Sequence, residues 1–457
     1  MYMKRTLQLI ALLSGAACFL GSCSRDFLDT KPSTSLVVPH TLEDFRQLLD
    51  YGNMAYSVPD RGEVQADDYF ITDEVFEMYS GWGGDYSVFI NSYIWAEDIY
   101  GTEEGAVSWT NSYQKVFYAN VVLDGLKGLE GQRDNAEYRR IKGSAYFFRA
   151  LGFYHLSQLF APVYREETAG SEMGLPLPLS SDVNEPIKRR SVQETYDRIL
   201  ADLVESVKLL EGVQVDYSRP SRAAALALRA KVCLGMGRYS DAGNAASLAL
   251  ADYNDLTDYN ISDVRDYRKV IFLGYFNPAS FINSHRVSDA LIDTALYASY
   301  GDVDLRKTVH FTIGAAGRPI KRQLYGLSGT TSFCGLDTDE LFLIRAECAA
   351  RSGEVGHALD DLNHLLKHRY KSDGFVQRTA ADKEEALGMI LEERRKELVL
   401  RGVRWSDLRR FNRDGAGIAL RRLIAGREYR LEPSSPRWVY PIPTDEIRTS
   451  GIAQNNR

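Results

Sequence analysis

Two stretches of the chain carry the same alternation of small apolar and polar positions. Over residues 220–250, Ala223, Ala227, Ala230 and Leu234 recur at helical spacing, Gly237 interrupts, and Ala242, Ala246 and Ala249 resume on one face of a second helix. A glycine just past the last periodic residue supplies the left-handed cap that lets a helix stop and the chain reverse. The same positions return 116 residues later, where Gly353, Val355, Ala358, Leu362 and Leu365 match Gly237, Tyr239, Ala242, Ala246 and Ala249.

A glycine followed by such residues at +2, +5, +9 and +12 is the core of a tetratricopeptide-type helical hairpin. One hairpin cannot bury its own apolar face, so two separated copies imply a repeat scaffold on which the intervening residues hang. Further helices are expected around it. Thr41 with Asp44 can cap a first helix whose buried face is Leu42, Phe45, Leu48 and Leu49. Helical periodicity predicts helices over 112–129 and 134–160, the second with Ile141, Ala145, Phe148, Leu151, Tyr154 and Leu159 on one face and Pro162 closing it. Ser191 and Glu194 form a capping box for a helix through Leu210, and helices are expected to start near Asp337, Gly353 and Asp382. Between them lie two irregular insertions rich in glycine and aromatic residues, about 61–104 and 252–336, the second with short strands expected at 270–276 and 309–313. The prolines of Tyr440-Pro-Ile-Pro443 forbid helix and imply an extended strap over 413–457. The fold class is therefore mainly α: a tetratricopeptide-like helical repeat scaffold over about 41–60, 105–251 and 337–412, with irregular aromatic-rich insertions.

The beginning of the chain changes where this scaffold would work. Residues 1–22 combine Lys4 and Arg5, an apolar run over 7–20, and small residues before Cys23. The run is too short to span a bilayer and fits a cleaved export signal. Leu20-Gly-Ser-Cys23 resembles a bacterial lipobox, which implies that Cys23 becomes the first mature residue and carries acyl chains tethering a soluble domain 23–457 to a membrane. Beyond Cys18 and Cys23, the odd remainder of Cys233, Cys334 and Cys348 lacks any CxxC spacing and predicts no disulfide framework. The net charge of −7, about −9 without the leader, argues against nucleic acid as a partner. Tyrosine is the outlier, 27 against five tryptophans, and points to a surface that stacks on something.

Several stretches together resemble the SusD/RagB family of outer-membrane nutrient-binding lipoproteins. They are Cys23 with Phe27-Leu-Asp29 and Pro32; Asn120-Val-Val-Leu-Asp124; Lys142-Gly-Ser-Ala-Tyr-Phe-Phe-Arg149; Leu159-Phe-Ala-Pro162; and Gly174-Leu-Pro-Leu177. They continue with Ser191-Val-Gln-Glu-Thr-Tyr196, the alanine-rich hairpin, Glu393-Arg-Arg-Lys-Glu-Leu398, Gly402, Arg404-Trp-Ser-Asp407 and Tyr440-Pro-Ile-Pro443. The resemblance implies four tetratricopeptide-like helix pairs cradling a ligand-binding part. It also implies an outer-membrane address facing outside and a TonB-dependent transporter of the SusC type as partner. Family members mostly bind glycans, some bind peptides, and neither cofactor nor metal is implied. The chain departs from the pattern at Arg401, where an acidic residue is usual, and at its end, where Gln454-Asn-Asn-Arg457 stands.

For a glycan, the chemistry wanted is exposed flat rings flanked by amides, carboxylates or guanidinium groups. Tyr79-Ser-Gly-Trp82-Gly-Gly-Asp85-Tyr86 supplies that mixture, with Asp67, Asp68 and Asn91 as nearby hydrogen-bonding candidates. In the second insertion Tyr275, Phe276, Asn277, Tyr297 and Tyr300 are candidates for the same cleft. No catalytic residue is expected. The Asp67-Asp68 pair, adjacent on an extended segment, points opposite ways and suits a glycosidase badly. His364 and His368 lack a third ligand and read as a solvated face, Asp302 and Asp304 as a polar turn, and Ser328 lacks a nucleophile elbow. The charges of 393–397 read as i, i+3 and i, i+4 pairs on a solvated or helix-packing face. A peptide ligand on the same architecture and a helical glycoside hydrolase are the competing readings, together with a scaffold that binds only protein.

Overall fold

A computed structural model describes residues 39–457 apart from 59, 103–106, 213–215, 262–269, 277–287 and 323–331, with backbone alone at 55–58. The leader, Cys23, Asn277 and Ser328 lie outside the described residues. In chain order the longer helices are α1 (Leu42–Leu49), α2 (Asp73–Ser80), α3 (Asp85–Tyr93), α4 (Val107–Leu126), α5 (Ala136–Phe160), α6 (Val192–Leu209) and α7 (Arg222–Met236). They continue with α8 (Tyr239–Asp252), α9 (Thr338–Ser352), α10 (Val355–Lys367), α11 (Lys383–Glu397), α12 (Arg404–Arg413) and α13 (Thr444–Ser450).

The two glycine-centred hairpins form as the spacing predicts. Gly237 ends α7 at φ +80° and Gly353 ends α9 at φ +87°, both in the left-handed region that only glycine adopts freely. Ala242, Ala246 and Ala249 of α8, and Ala358, Leu362 and Leu365 of α10, are all buried. Helix α8 packs directly on α9, so the second hairpin continues the stack of the first and residues 253–337 loop out between them. Before them, α4, α5, α6 and α7 pack successively, each on the next. Gly152 allows the closest approach: a Cβ there would lie 2.8 Å from the Ser112 carbonyl and 2.9 Å from Val116. The Thr41–Asp44 and Ser191–Glu194 capping boxes are both closed.

The strands are short: β1 (Tyr56–Val58), β2 (Tyr69–Phe70), β3 (Met173–Pro176), β4 (Arg189–Ser191), β5 (Tyr275–Phe276), β6 (Leu291–Ile292), β7 (Phe311–Ile313), β8 (Pro319–Lys321), β9 (Leu420–Ile424) and β10 (Arg427–Leu431). Strands β2, β6, β8 and β7 make one antiparallel sheet in that order, so the two insertions share a sheet. They also share a hydrophobic core, separate from that of the scaffold, in which Tyr69, Tyr79, Phe89 and Tyr93 meet Phe276, Ile292, Tyr300 and Phe311.

Several expectations are corrected. The first insertion contains a short helix at Arg61–Gln65 and the helices α2 and α3, and the strand expected over 270–276 reduces to β5. The strap over 413–457 folds partly as the β9–β10 hairpin and as α13. Asp304 is no polar turn residue: it is 2% exposed and holds Arg306 through both carboxylate oxygens, at 2.9 and 2.7 Å. Of the two alternatives for the charges of 393–397, the helix-packing face holds and the solvated one does not. Glu393, Arg394, Lys396 and Glu397 are buried, with Arg306 bonded to Glu393 and Glu397, and Arg394 to Glu340 and Asp407. His364 stays exposed on its helix.

Candidate functional site

The turn between α2 and α3 is where the aromatic-rich segment reaches solvent. Thr72 caps α2 by accepting from the Val75 N–H at 3.3 Å, and α2 ends at Gly81. Gly83 and Gly84 then take φ of +68° and +59°, so the chain reverses within Gly81-Trp82-Gly83-Gly84 and re-enters helix at Asp85. The reversal brings three rings together. Tyr79 and Trp82 lie 5.2 Å apart, Trp82 and Tyr86 meet edge to face at 4.7 Å, and Tyr79 and Tyr86 are 4.9 Å apart. Trp82 is 54% exposed and Tyr86 half-buried, whereas Tyr79 is 2% exposed and donates its phenol hydrogen to the Asp289 carboxylate. Met78, 39% exposed, borders the same turn. The indole is therefore held from behind by two phenol rings, a pre-formed apolar plate against which the C–H face of a sugar can stack.

Asp67 and Asp68 do other work. Arg404 grips Asp67 bidentately, at 2.7 and 3.0 Å, while Arg395 donates to Asp68 at 2.9 Å and to the Asp67 carbonyl at 2.9 Å. Burial pushes the Asp67 carboxyl up, but the Arg404 hydrogen bonds and charge outweigh it and hold it below the usual range. Both arginines belong to the scaffold's last two helices, so this cluster fastens the first insertion to α11 and α12.

Residues 26–234 match a family model described as SusD-like, starch-binding and associating with the outer membrane, and residues 339–456 match a second model described as the SusD family. The chain belongs to the SusD/RagB family. A SusD-like protein P2 of Formosa agariphila is 23% identical over 428 residues, covering 78% of this chain and 81% of that protein. Among solved structures, a SusD superfamily protein of Bacteroides thetaiotaomicron superposes with a TM-score of 0.73 at 20% identity, covering 91% of this chain and all of that one. A structure described as a putative sugar binding protein of Bacteroides vulgatus gives 0.72 at 21% identity, covering 92% and 99%. These structural likenesses concern the SusD fold, mainly helical with few small strands.

Within this SusD-family chain the remaining candidates separate. Asn91 is half-buried and its amide donates to the Ile99 carbonyl at 3.1 Å. Tyr297 is half-buried, its ring 5.5 Å from that of Phe311. As ligand contacts, Asp68, Tyr79 and Tyr275 are corrected by their burial at 1%, 2% and 1% exposure, because no ligand atom reaches them without unpacking the second core or its neighbours. Trp109 and Tyr113 sit on scaffold helix α4. They line a cavity of about 450 Å³ with Phe117 and the Pro176-Leu177-Pro178 turn, Trp109 donating to Glu446 at 3.3 Å and Tyr113 to the Pro176 carbonyl at 2.9 Å. The mixture of rings and glycines pointed to this turn but not to Asp289, which bonds Tyr79 from 207 residues beyond Trp82 and has no local pattern around it. Among the described residues no group of three or more His, Cys, Asp or Glu is arranged to hold a metal ion, and no helix is long and apolar enough to cross a membrane.

Proposed function

We propose that this chain is a non-catalytic lipoprotein of the outer membrane, anchored through Cys23 and facing outside, that captures an oligosaccharide on the Trp82 plate and passes it to a SusC-type TonB-dependent transporter. The observation that carries the reading is a half-exposed indole on a glycine-built turn, backed by Tyr79 and Tyr86. The family description of starch binding at the outer membrane supports the ligand class and the address. The arginine-clamped Asp67 and Asp68 favour binding over hydrolysis, since a glycosidase needs two carboxylates facing one bond across an open gap.

Trp82→Ala tests it. The purified domain from Ser24 onward is screened on glycan and peptide arrays, and the best glycan is titrated by calorimetry. A stacked tryptophan at the centre of a site is worth about 2 kcal/mol, so the variant should bind about 30-fold more weakly with an unchanged melting midpoint. Equal affinity in both proteins would remove the plate from the site, and selective binding of peptides would replace the ligand class.

A further inference from the structure

On the scaffold side of the second insertion, strand β8 ends beside the corner that follows α11, and between them lies a cavity of about 30 Å³, roughly the volume of one water molecule. Lys321, the last residue of β8, lines it. Its side chain is 8% exposed, and among the described residues its ammonium has neither a carboxylate nor a hydrogen-bond acceptor in reach, only the Phe311 ring with its centroid at 5.9 Å. Two carboxylates line the same space and both are engaged elsewhere. Asp339 pairs with Arg401 and accepts the Glu340 N–H at 2.6 Å, and Glu397 is shared between Arg369 at 2.7 Å and Arg306 at 3.2 Å. His310, 3% exposed, completes the wall opposite. Its Nε2 lies 3.1 Å from the Tyr259 hydroxyl, its Nδ1 has no partner, and burial keeps the ring neutral by pushing its pKa well below the usual value. In the tautomer in which the Tyr259 hydroxyl donates to Nε2, the ring proton sits on Nδ1 and points to an absent acceptor.

The cavity is thus lined by more positive than negative charge: Lys321, Arg401 and the exposed Arg322 against Asp339, paired with Arg401, and Glu397, shared between Arg369 and Arg306. A buried ring nitrogen left without a partner is costly, and an ammonium without a counter-charge gains from an anion in the same space, so one acceptor serves both. Room for about one water-sized sphere suits a monatomic anion better than a tetrahedral oxyanion or an organic acid. We infer that this cavity is a halide site, occupied by a single chloride ion held between Lys321, His310 and Arg401. The ion would tie β8, and with it the sheet shared by the two insertions, to the scaffold at α9 and the end of α11. Leu400, at the same corner, is held at φ +53°, a backbone conformation that persists only where its surroundings enforce it.

The test uses the mature chain. Crystals grown in bromide should show an anomalous peak within hydrogen-bond distance of Lys321 Nζ. The melting midpoint should be higher in chloride than in gluconate at equal ionic strength, by about 1–2 °C when chloride is some tenfold above its dissociation constant. Lys321→Gln should abolish that difference whatever it does to stability itself. Burial lowers the Lys321 pKa to about 7, Arg401 adding to the effect and Glu397, Asp68 and Glu63 opposing it. The chloride difference should therefore be largest below neutrality and fade well above it, as the ammonium that receives the ion loses its proton. A cavity holding only water in bromide crystals, equal midpoints in the two salts, or a chloride effect that survives in Lys321→Gln would overturn the inference.

Discussion

Asp407 offers the sharpest test of how the scaffold's last helices are held. Its carboxylate, 5% exposed, accepts from Arg394 Nε at 2.8 Å and from Arg410 Nε at 2.9 Å. Those arginines reach onward to Glu340 at 2.9 Å and Glu347 at 2.8 Å on α9, so one acid on α12 organises the contact of three helices. Burial pushes the Asp407 pKa up, yet the two guanidinium groups more than reverse this and hold it at about 2 against an ordinary 3.8. That difference corresponds to ~2 kcal/mol of native-state stability. Asp407→Asn forfeits it and leaves two buried arginines each short of a counter-charge, for a total cost of ~3–4 kcal/mol at neutral pH. The sign with pH follows from the direction of the shift. A carboxyl whose folded pKa is depressed stabilises fully above its unfolded value and loses that contribution as pH falls toward the folded one. The gap between wild type and variant, measured by equilibrium unfolding in urea, should therefore be flat above about pH 5 and shrink between about pH 4 and pH 2. A gap below about 1 kcal/mol at neutral pH, or one that widens on acidification, would refute the account.

Gly125→Ala would place a Cβ 2.2 Å from the Phe45 ring, so it should lift α1 from the scaffold at a cost of ~1–3 kcal/mol and speed amide exchange over residues 42–49. Gly353→Ala should lower stability by ~1–2 kcal/mol through its φ of +87° alone, since nothing lies within 4 Å of the added methyl. Gly356→Ala, inside α10 with the same open space, should raise stability by up to ~1 kcal/mol. Cys23→Ser should move the mature protein from the detergent phase to the aqueous phase in a cloud-point partition, and equal partitioning of the two would remove the lipid anchor.

What the sequence disclosed is what short-range physics determines. Gly237 and Gly353, the capping pairs Thr41–Asp44 and Ser191–Glu194, and the alanine faces of α8 and α10 all act within a few residues of themselves. Their helices were accordingly legible. The second core was not, because β2 and β6 pair Tyr69 with Ile292 and Phe70 with Leu291, and no local pattern announces a partner so distant. For the same reason the i, i+3 pairing expected for 393–397, realised between Glu393 and Lys396, gave no sign of the distant partners Asp67, Asp68, Asp304, Arg306, Glu340, Arg369 and Asp407. At the candidate site, composition and glycines located the turn but could not rank its rings. Exposure of Trp82 and burial of Tyr79 depend on how Asp289 and the second core close behind the turn.

The same long-range contacts explain how an irregular segment can present a ring in a fixed place. Arg395 and Arg404 reach from the helical stack to Asp67 and Asp68, and Arg422 of β9 is laid 3.4 Å over the Tyr93 ring while donating to the Ala66 carbonyl at 2.7 Å. Planar guanidinium groups suit this task, because each can bond carboxylate or carbonyl oxygens in its plane and cover an aromatic face with its flat side. The Tyr93 hydroxyl in turn accepts the Ile71 backbone N–H at 3.0 Å, just ahead of the helix that carries Tyr79 to the turn. Arginines of the scaffold and of the C-terminal strap thus fix the insertion in addition to the short sheet it shares with the second insertion. Stacking on Trp82 then costs little ordering of the protein, and affinity is set by how well the ligand covers the indole.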